Sequence, residues 1–191
     1  MYIWFEFKIV FMKKILLTLI MTVGFTMLSH AQQQAEPFGQ KMSFGFQLGQ
    51  YQDDFGIGLN VTTPYFLHNR VAVRVRGNLM WHEHVLNTET TWTPYSNLAL
   101  GVIGVGGNIG NFMRVYGEGG AMVLVPSDDF SAQSTEFGGY GLFGFEFFMD
   151  PHFNYFIEIG GAGTGARADK VPTSPIYSNG LIIQTGFRIQ L

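Results

Sequence analysis

Two histidines, two positions apart, are the most obvious candidates for chemistry in this sequence. His82 and His84 flank Glu83, and residues i and i+2 of an extended strand project from the same face. Two imidazoles on one face can begin a metal site, but such a site needs three or four ligands. The sequence places no third ligand at a fixed spacing. We therefore predict no metal and interpret the pair as polar residues at the end of a strand, beside Trp81.

Charged residues form the second candidate set, and they are scarce. They make up 13% of the 191 residues, against about 25% in a typical soluble protein. Those that fall within predicted strands lie on the polar face, where they form either a catalytic or ion-conducting site or a structural ion-pair network. This set comprises Arg70, Arg74, Arg76, Arg114, Glu118, Glu146, Glu158 and Arg188.

Composition excludes several functions. Cysteine is absent, which removes disulfides, thiolate metal sites and cysteine nucleophiles. The net charge of -3 and the lack of a dense basic run exclude nucleic acid as a partner. No glycine-rich phosphate loop precedes a helix, and no cofactor is predicted. The 19 Phe and 25 Gly are unusual for a water-soluble domain.

The N-terminal region reads as a signal peptide, residues 1–31. Lys13 and Lys14 precede an apolar run over 15–28, and Ser29-His30-Ala31 provides small residues at the cleavage site. Residues 1–11 precede a better start at Met12, so we interpret them as either an over-called start or an extension of the signal peptide. A short segment, 32–41, then leads into one domain, 42–191.

The domain shows the period-two alternation of β-strands. Strands are predicted at about 42–49, 55–62, 70–81, 95–105, 112–124, 136–148, 155–165 and 181–191. Their lengths are close to the roughly 9–11 residues that a tilted membrane strand needs. Short links alternate with longer ones, and the longer links are predicted at 82–94, 126–135 and 166–178.

Two architectures fit eight alternating strands, a soluble barrel and a membrane barrel with the opposite face inward. None of the apolar-set strand positions is charged, and a charge facing mid-bilayer costs about 2–4 kcal/mol. The polar set also contains many glycines, which weaken an exposed strand but leave room inside a narrow barrel. We therefore predict an all-β, eight-stranded antiparallel up-and-down transmembrane β-barrel. Its lumen holds the charges, where Glu158 pairs with Arg188 and Glu118 reaches Arg74 or Arg76.

The last residues carry the most specific resemblance. Gln184, Gly186, Ile189 and Leu191 fit a polar-x-Gly-x-x-hydrophobic-x-hydrophobic pattern. With the signal peptide and the alternation, it makes residues 42–191 resemble the small eight-stranded outer-membrane proteins of the OmpA/OmpX type and porin-family proteins of similar size. The resemblance implies that the barrel-assembly machinery reads this pattern as an assembly signal. Many such proteins end in Phe, whereas this one ends in Leu.

The resemblance also implies a location and a role. The expected location is the outer membrane of a Gram-negative bacterium, with lipid and lipopolysaccharide as neighbours, both termini in the periplasm and the longer loops outside. The expected role is non-enzymatic: membrane integrity, or contact with an unknown extracellular ligand through the loops, with the lumen plugged by the Arg/Glu network. One alternative is a small-solute channel.

A second alternative is a lipid A deacylase or acyltransferase, since some eight-stranded barrels are such enzymes. His82 or His84 would then work with a loop residue, for which the candidates are Glu89, Ser127, Asp128 and Asp129. The acidic pairs Asp53-Asp54 and Asp128-Asp129 offer calcium or lipopolysaccharide-bridging sites, although such loop pairs are more often solvated.

Aromatic residues cluster at the predicted strand ends, where membrane barrels carry aromatic girdles. The residues assigned to these girdles are Tyr65, Phe66, Trp81, Trp92, Phe112, Phe148, Phe153 and Tyr155. Ser131 lies in a predicted loop, and we expect it to tolerate a charge.

Overall fold

The described part of the chain forms one closed sheet. The computed structural model describes residues 41–86 and 89–191, and in it these form eight antiparallel strands. Each strand pairs with its sequence neighbours, and β1 pairs with β8, which closes the barrel. The strands are β1 Ser43–Tyr51, β2 Asp54–Thr62, β3 Val71–Leu86, β4 Glu89–Ile109, β5 Met113–Val125, β6 Glu136–Phe148, β7 Phe153–Thr164 and β8 Gly180–Gln190. The predicted eight-stranded up-and-down barrel is confirmed.

The predicted signal peptide, residues 1–31, lies outside the described residues, as does all but the last residue of segment 32–41. No helix in the part of the chain that the structure describes is long and apolar enough to cross a membrane.

The two ends of the barrel differ in their connections. The turn end carries the connections 63–70, 110–112 and 149–152, together with the first residue of β1 and the last of β8. The loop end carries the connections 52–53, 126–135 and 165–179 and the hairpin of β3 and β4. These two names are used below.

The strands point their apolar residues outward and their polar residues inward. In β1, Phe44 and Phe46 are each 45% exposed, whereas Gln47, which follows Phe46, is fully buried. The same alternation gives Leu59 an exposure of 66% and its strand neighbour Asn60 an exposure of 1%. A soluble barrel has the reverse arrangement, because its apolar face forms the core.

The structure corrects the predicted long loop at 82–94, because residues 82–86 continue β3 and residues 89–94 belong to β4, and the two segments are paired. The pairing runs without interruption from Val71 opposite Gly104 to Leu86 opposite Glu89. The predicted strand ends at Trp81 because Glu83 interrupts the apolar set between Trp81 and Val85, so hydrophobic alternation no longer marks the strand.

Glycine at inward positions makes room for the large side chains of the lumen. A Cβ on Gly101 of β4 would lie 3.0 Å from Glu118 Oε1 and 3.2 Å from Glu118 Cγ. A Cβ on Gly144 of β6 would lie 2.6 Å from a ring carbon of Tyr116. Eight strands leave an interior just wide enough for side chains, so these positions cannot hold one of their own.

This crowding generates a prediction with a matched control in the same strand. Gly101→Val should destabilise the barrel by about 1–3 kcal/mol, the usual cost of overpacking, because the new side chain meets Glu118. Gly104→Val should cost little, since a Cβ there meets no atom within 4 Å. Urea unfolding of both variants in detergent measures the difference. Equal loss at the two positions would show that the lumen is not tightly packed.

Candidate functional site

The centre of the lumen holds two glutamates between two arginines. Glu118 on β5, Glu158 on β7 and both Arg74 and Arg76 on β3 are buried. Arg74 Nη1 lies 2.6 Å from Glu118 Oε2 and 3.0 Å from Glu158 Oε1. Arg76 donates from Nη2 to Glu118 Oε2 at 2.5 Å and from Nη1 to Glu158 Oε2 at 2.7 Å. Each carboxylate therefore contacts both guanidinium groups across strands that are not neighbours in the sheet.

A third arginine extends this network toward the turn end. Arg188 on β8 donates from Nη2 to Glu158 Oε1 at 2.8 Å, which is the ion pair predicted from the sequence. Its Nη1 donates to Glu146 Oε1 at 3.0 Å, and Arg114 Nη1 lies 3.5 Å from Glu146 Oε2. The guanidinium of Arg188 also stacks 3.7 Å from the ring centroid of Phe156. The chain of ion pairs thus runs from β3 to β8 through the lumen.

Neutral side chains complete the hydrogen bonding of these charges. Tyr116 donates to Glu158, and Tyr140 donates to Glu118 Oε1 at 2.8 Å. Gln184 Oε1 accepts from Arg76 Nη1 at 2.8 Å. Buried charges are tolerated when they are paired and hydrogen-bonded in this way.

Arg70 does not belong to this network, and its assignment to the lumen is wrong. It has the inward parity of β3, but it precedes the strand, in the connection 63–70, and is exposed. The strand begins at Val71, so the side chain of Arg70 lies beyond the rim of the barrel.

Two residues assigned to the aromatic girdle face the lumen instead. Tyr65 and Phe148 pack on Arg114, whose guanidinium carbon is 4.3 Å and 5.2 Å from their ring centroids. Cation–π contact therefore draws these two rings inward.

Toward the loop end the lumen changes from charged to apolar. The connections 126–135 and 165–179 fold into the lumen there, and together with strand residues they form a buried apolar cluster. The strand residues of the cluster include Tyr51, Met80, Met122, Leu124, Leu142 and Ile182, and the connections add Phe130, Ala166, Ala168, Val171 and Tyr177. The two connections are therefore packed parts of the interior.

This packing corrects the expectation for Ser131. The residue is fully buried, and its hydroxyl donates to the carbonyl of Arg167 at 3.2 Å. A charge at this position would be buried, so Ser131 is not a tolerant loop site. Burial also raises the pKa of the Tyr177 phenol, in the connection 165–179, to about 12.

At the loop end, one buried carboxylate connects three strands and a connection. Asp54, at the start of β2, is 1% exposed and accepts three hydrogen bonds. His82 Nδ1 lies 2.7 Å from its Oδ1, the Tyr95 hydroxyl donates to Oδ2 at 2.6 Å, and the backbone N–H of Ser178 donates to Oδ2 at 2.7 Å. Asp54 therefore connects β2, β3, β4 and the connection 165–179.

His82 and His84 lie inside the barrel mouth, 2% and 6% exposed, rather than in a solvated ring of polar residues. Their rings stack with centroids 5.7 Å apart. Within the described residues no group of three His, Asp or Glu side chains is placed to hold a metal.

The loop residues proposed as partners of the histidines lie elsewhere. The Ser127 hydroxyl bonds to the Asp129 carboxylate at 3.1 Å, and Asp128 and Glu89 are exposed. The partner that the structure places beside His82 is Asp54, which the sequence reading left in a solvated acidic pair.

The sequence held a signal for the Asp54–His82 pair that alternation alone did not reveal. Phe55 pairs with Trp81 across β2 and β3. Adding one residue to each strand places Asp54 opposite His82, and both have the inward parity. Because the predicted strand ends at Trp81, alternation alone does not predict that Asp54 and His82 are neighbours.

The residues of the predicted assembly signal lie on both faces of β8. Gln184 is buried in the lumen, and Gly186 faces inward with the backbone of β1 close to its Cα. Ile189 is 51% exposed and Leu191 is 68% exposed on the outer surface.

Comparison with known proteins bears out the resemblance at the level of the fold. No protein-family model matches the sequence, and no curated protein matches it. The N-terminal β-barrel domain of Pseudomonas aeruginosa OprF superposes with a TM-score of 0.52 at 13% identity, covering 80% of this chain and 98% of that one. Ail, the attachment invasion locus protein of Yersinia pestis, gives 0.45 at 13% identity, with 79% and 97% covered. The chain has the eight-stranded fold of outer-membrane β-barrels.

The ion network predicts which carboxylate matters most for stability. Glu158→Gln should cost about 3–5 kcal/mol, because three guanidinium groups lose a buried counter-charge. Glu146→Gln should cost less, since Glu146 pairs with two arginines and one of those distances is 3.5 Å. Urea unfolding of the folded barrel in detergent ranks the two variants. The reverse order would contradict the central position of Glu158.

Proposed function

We propose that this protein is an integral outer-membrane β-barrel with a closed lumen and a non-enzymatic role at the cell surface. The observation that carries the proposal is the inverted surface of the barrel, with apolar side chains outside and paired charges inside. That arrangement is stable in lipid, which solvates the apolar outer surface. A closed barrel is also compatible with lipid because it satisfies every backbone hydrogen bond internally. The predicted signal peptide and the assembly signal Gln184, Gly186, Ile189 and Leu191 support the same route of export and insertion.

The orientation follows from the two ends of the barrel. Membrane barrels of this kind have short turns on the periplasmic side and longer connections outside. The turn end, which carries the start of β1 and the end of β8, is therefore assigned to the periplasm. The loop end is assigned to the exterior, where lipopolysaccharide surrounds it.

The lumen network supports a closed barrel rather than a channel. Guanidinium and carboxylate groups from β3, β5, β6, β7 and β8 meet at hydrogen-bonding distance, and apolar residues fill the lumen above them. A continuous water path would require both layers to open. Closure is the property that a surface-structural or membrane-stabilising protein needs.

The hairpin of β3 and β4 offers the surface for external contact. β3 pairs with β2 only as far as Trp81, and β4 pairs with β5 only from Ser96 onward. The hairpin therefore extends past its neighbours, and it carries Trp92 at 47% exposure and Val85 at 53% exposure. Exposed aromatic residues on a protruding hairpin are suited to contacts with other molecules.

A lipid A-modifying enzyme is the alternative that the Asp54–His82 pair raises, and the local contacts weigh against it. The Ser178 hydroxyl oxygen lies 2.8 Å from the Tyr95 hydroxyl and accepts from the Asn97 amide at 3.3 Å, and among the described residues no hydrogen bond joins it to the His82 imidazole. A nucleophile must lie within hydrogen-bond reach of its base. The pair is better explained as the tie that holds the connection 165–179.

The membrane assignment predicts a strong difference between two surface positions. Ile183→Arg should reduce the folded barrel in membranes, because Arg on the lipid face costs about 2–4 kcal/mol near mid-bilayer. Ser134→Arg, in the exposed part of the connection 126–135, is the matched control and should leave insertion unchanged. The measurement is the folded fraction in isolated outer membranes. Equal insertion of both variants would contradict the assignment of the outer surface of the barrel to lipid.

A closed lumen predicts that the protein does not conduct ions. The full-length protein, purified from membranes and reconstituted in planar bilayers, should show no steady ion current. The triple variant Arg76→Ala/Glu118→Ala/Phe130→Ala removes the ion pairs Arg76–Glu118, Arg76–Glu158 and Arg74–Glu118 together with one ring of the apolar layer, so it opens both layers and should conduct. A steady current through the unaltered protein, similar to that of the variant, would favour the small-solute channel instead.

A further inference from the structure

Phe130 occupies a box of four rings inside the barrel mouth. The residue comes from the connection 126–135, and its side chain is fully buried. Its ring centroid lies 5.0 Å from that of Tyr177, 5.3 Å from that of His82, 6.0 Å from that of Tyr95 and 6.2 Å from that of His84. Two of the contacts are edge-to-face, at interplanar angles of 76° and 81°. The box is shaped for a single aromatic ring.

One wall of the box carries an unused hydrogen-bonding atom. His82 Nδ1 lies 2.7 Å from Asp54 Oδ1, and in the tautomer that donates from Nδ1 to this carboxylate Nε2 carries a lone pair. His82 is 2% exposed, and its Nε2 is buried without a hydrogen-bond partner among the described residues. The phenyl ring of Phe130 has no donor with which to satisfy it.

The hydrogen bonds that hold the backbone around Phe130 join it to other connection residues and not to a strand. The Phe130 N–H donates to Ser127 O at 3.3 Å, its carbonyl accepts from Lys170 N–H at 3.0 Å, and the N–H of Ser131 donates to Ser127 O at 3.2 Å. The Ser131 hydroxyl also donates to the carbonyl of Arg167 at 3.2 Å. The two residues before it, Asp128 and Asp129, are exposed. The ring can therefore leave the box without disturbing a strand.

We propose that the box is a binding site for a small aromatic molecule that carries a hydrogen-bond donor, with phenol as the simplest case, and that Phe130 is an internal occupant which the ligand displaces. The four rings select an aromatic ligand. The lone pair on His82 Nε2 selects a donor on that ligand, since a buried acceptor left unpaired is unfavourable. Asp54 keeps His82 in the tautomer that makes Nε2 the acceptor, so it acts as a positioning residue.

The test compares phenol with anisole, which has the same ring but no donor. Phe130→Ala empties the box, and the full-length variant, purified from membranes in detergent, should bind phenol about tenfold more tightly than anisole by calorimetry. This ratio is the upper range for one neutral hydrogen bond. Phe130→Ala/His82→Phe keeps a ring in the wall and leaves Asp54 its bonds from Tyr95 and Ser178, and it should lose the preference. Equal affinity for phenol and anisole in Phe130→Ala, or no binding of phenol by that variant when folded, would overturn the proposal.

The unaltered protein provides a second readout that needs no variant. Displacement of Phe130 removes two contacts of the connection 165–179, the hydrogen bond from Lys170 N–H and the packing against the Tyr177 ring, while the Asp54 tie at Ser178 remains. The chain around Lys170 is then held less firmly, so phenol should speed trypsin cleavage after Lys170. Anisole at the same concentration should not. Cleavage that is insensitive to phenol, or equally sensitive to both compounds, would contradict displacement. This inference goes beyond the closed barrel, and a current in planar bilayers would leave the phenol result unaffected.

Discussion

The structure depends on one constraint: eight strands close around a space that is too narrow for an unpaired charge. Every second residue of each strand points into that space, so an inward arginine must meet a carboxylate there. Arg74 and Arg76 meet both Glu118 and Glu158, and Arg188 joins Glu158 to Glu146. The glycines opposite these side chains, such as Gly101 and Gly144, follow from the same lack of room.

The sequence predicted those parts of the fold that alternation encodes. Strand β6 was placed at 136–148, as observed, because Phe143, Phe145 and Phe147 alternate with small or charged residues. The pairing of Glu158 with Arg188 was also predicted, because neighbouring strands and similar depth bring them together. Arg70 was misplaced because parity gives the face of a strand but not the residue at which the strand begins.

The loop end was harder to predict, for a different physical reason. Beyond Trp81 the charged Glu83 interrupts the apolar set of β3, so the hydrophobic pattern that marks a strand is broken although the backbone pairing continues. The fate of Phe130 and Ser131 depends on long-range packing of a connection into the barrel, which period-two patterns do not report. Asp54 had the correct parity for the lumen, but its position in an acidic pair at a turn suggested solvent.

The cross-lumen ion pairs also determine how this barrel can come apart. If backbone pairing alone held the sheet, β8 could separate from β1 at the closing seam while the other strands stayed together. Here β8 carries Arg188, whose guanidinium is bound to Glu146 on β6 and to Glu158 on β7, and Gln184, which is bound to Arg76 on β3. Opening the seam therefore breaks the bond between Gln184 and Arg76, which crosses it, and exposes the buried charges of the lumen. Partial opening gains little freedom and loses many contacts, so the barrel should open as a single cooperative unit with a high kinetic barrier.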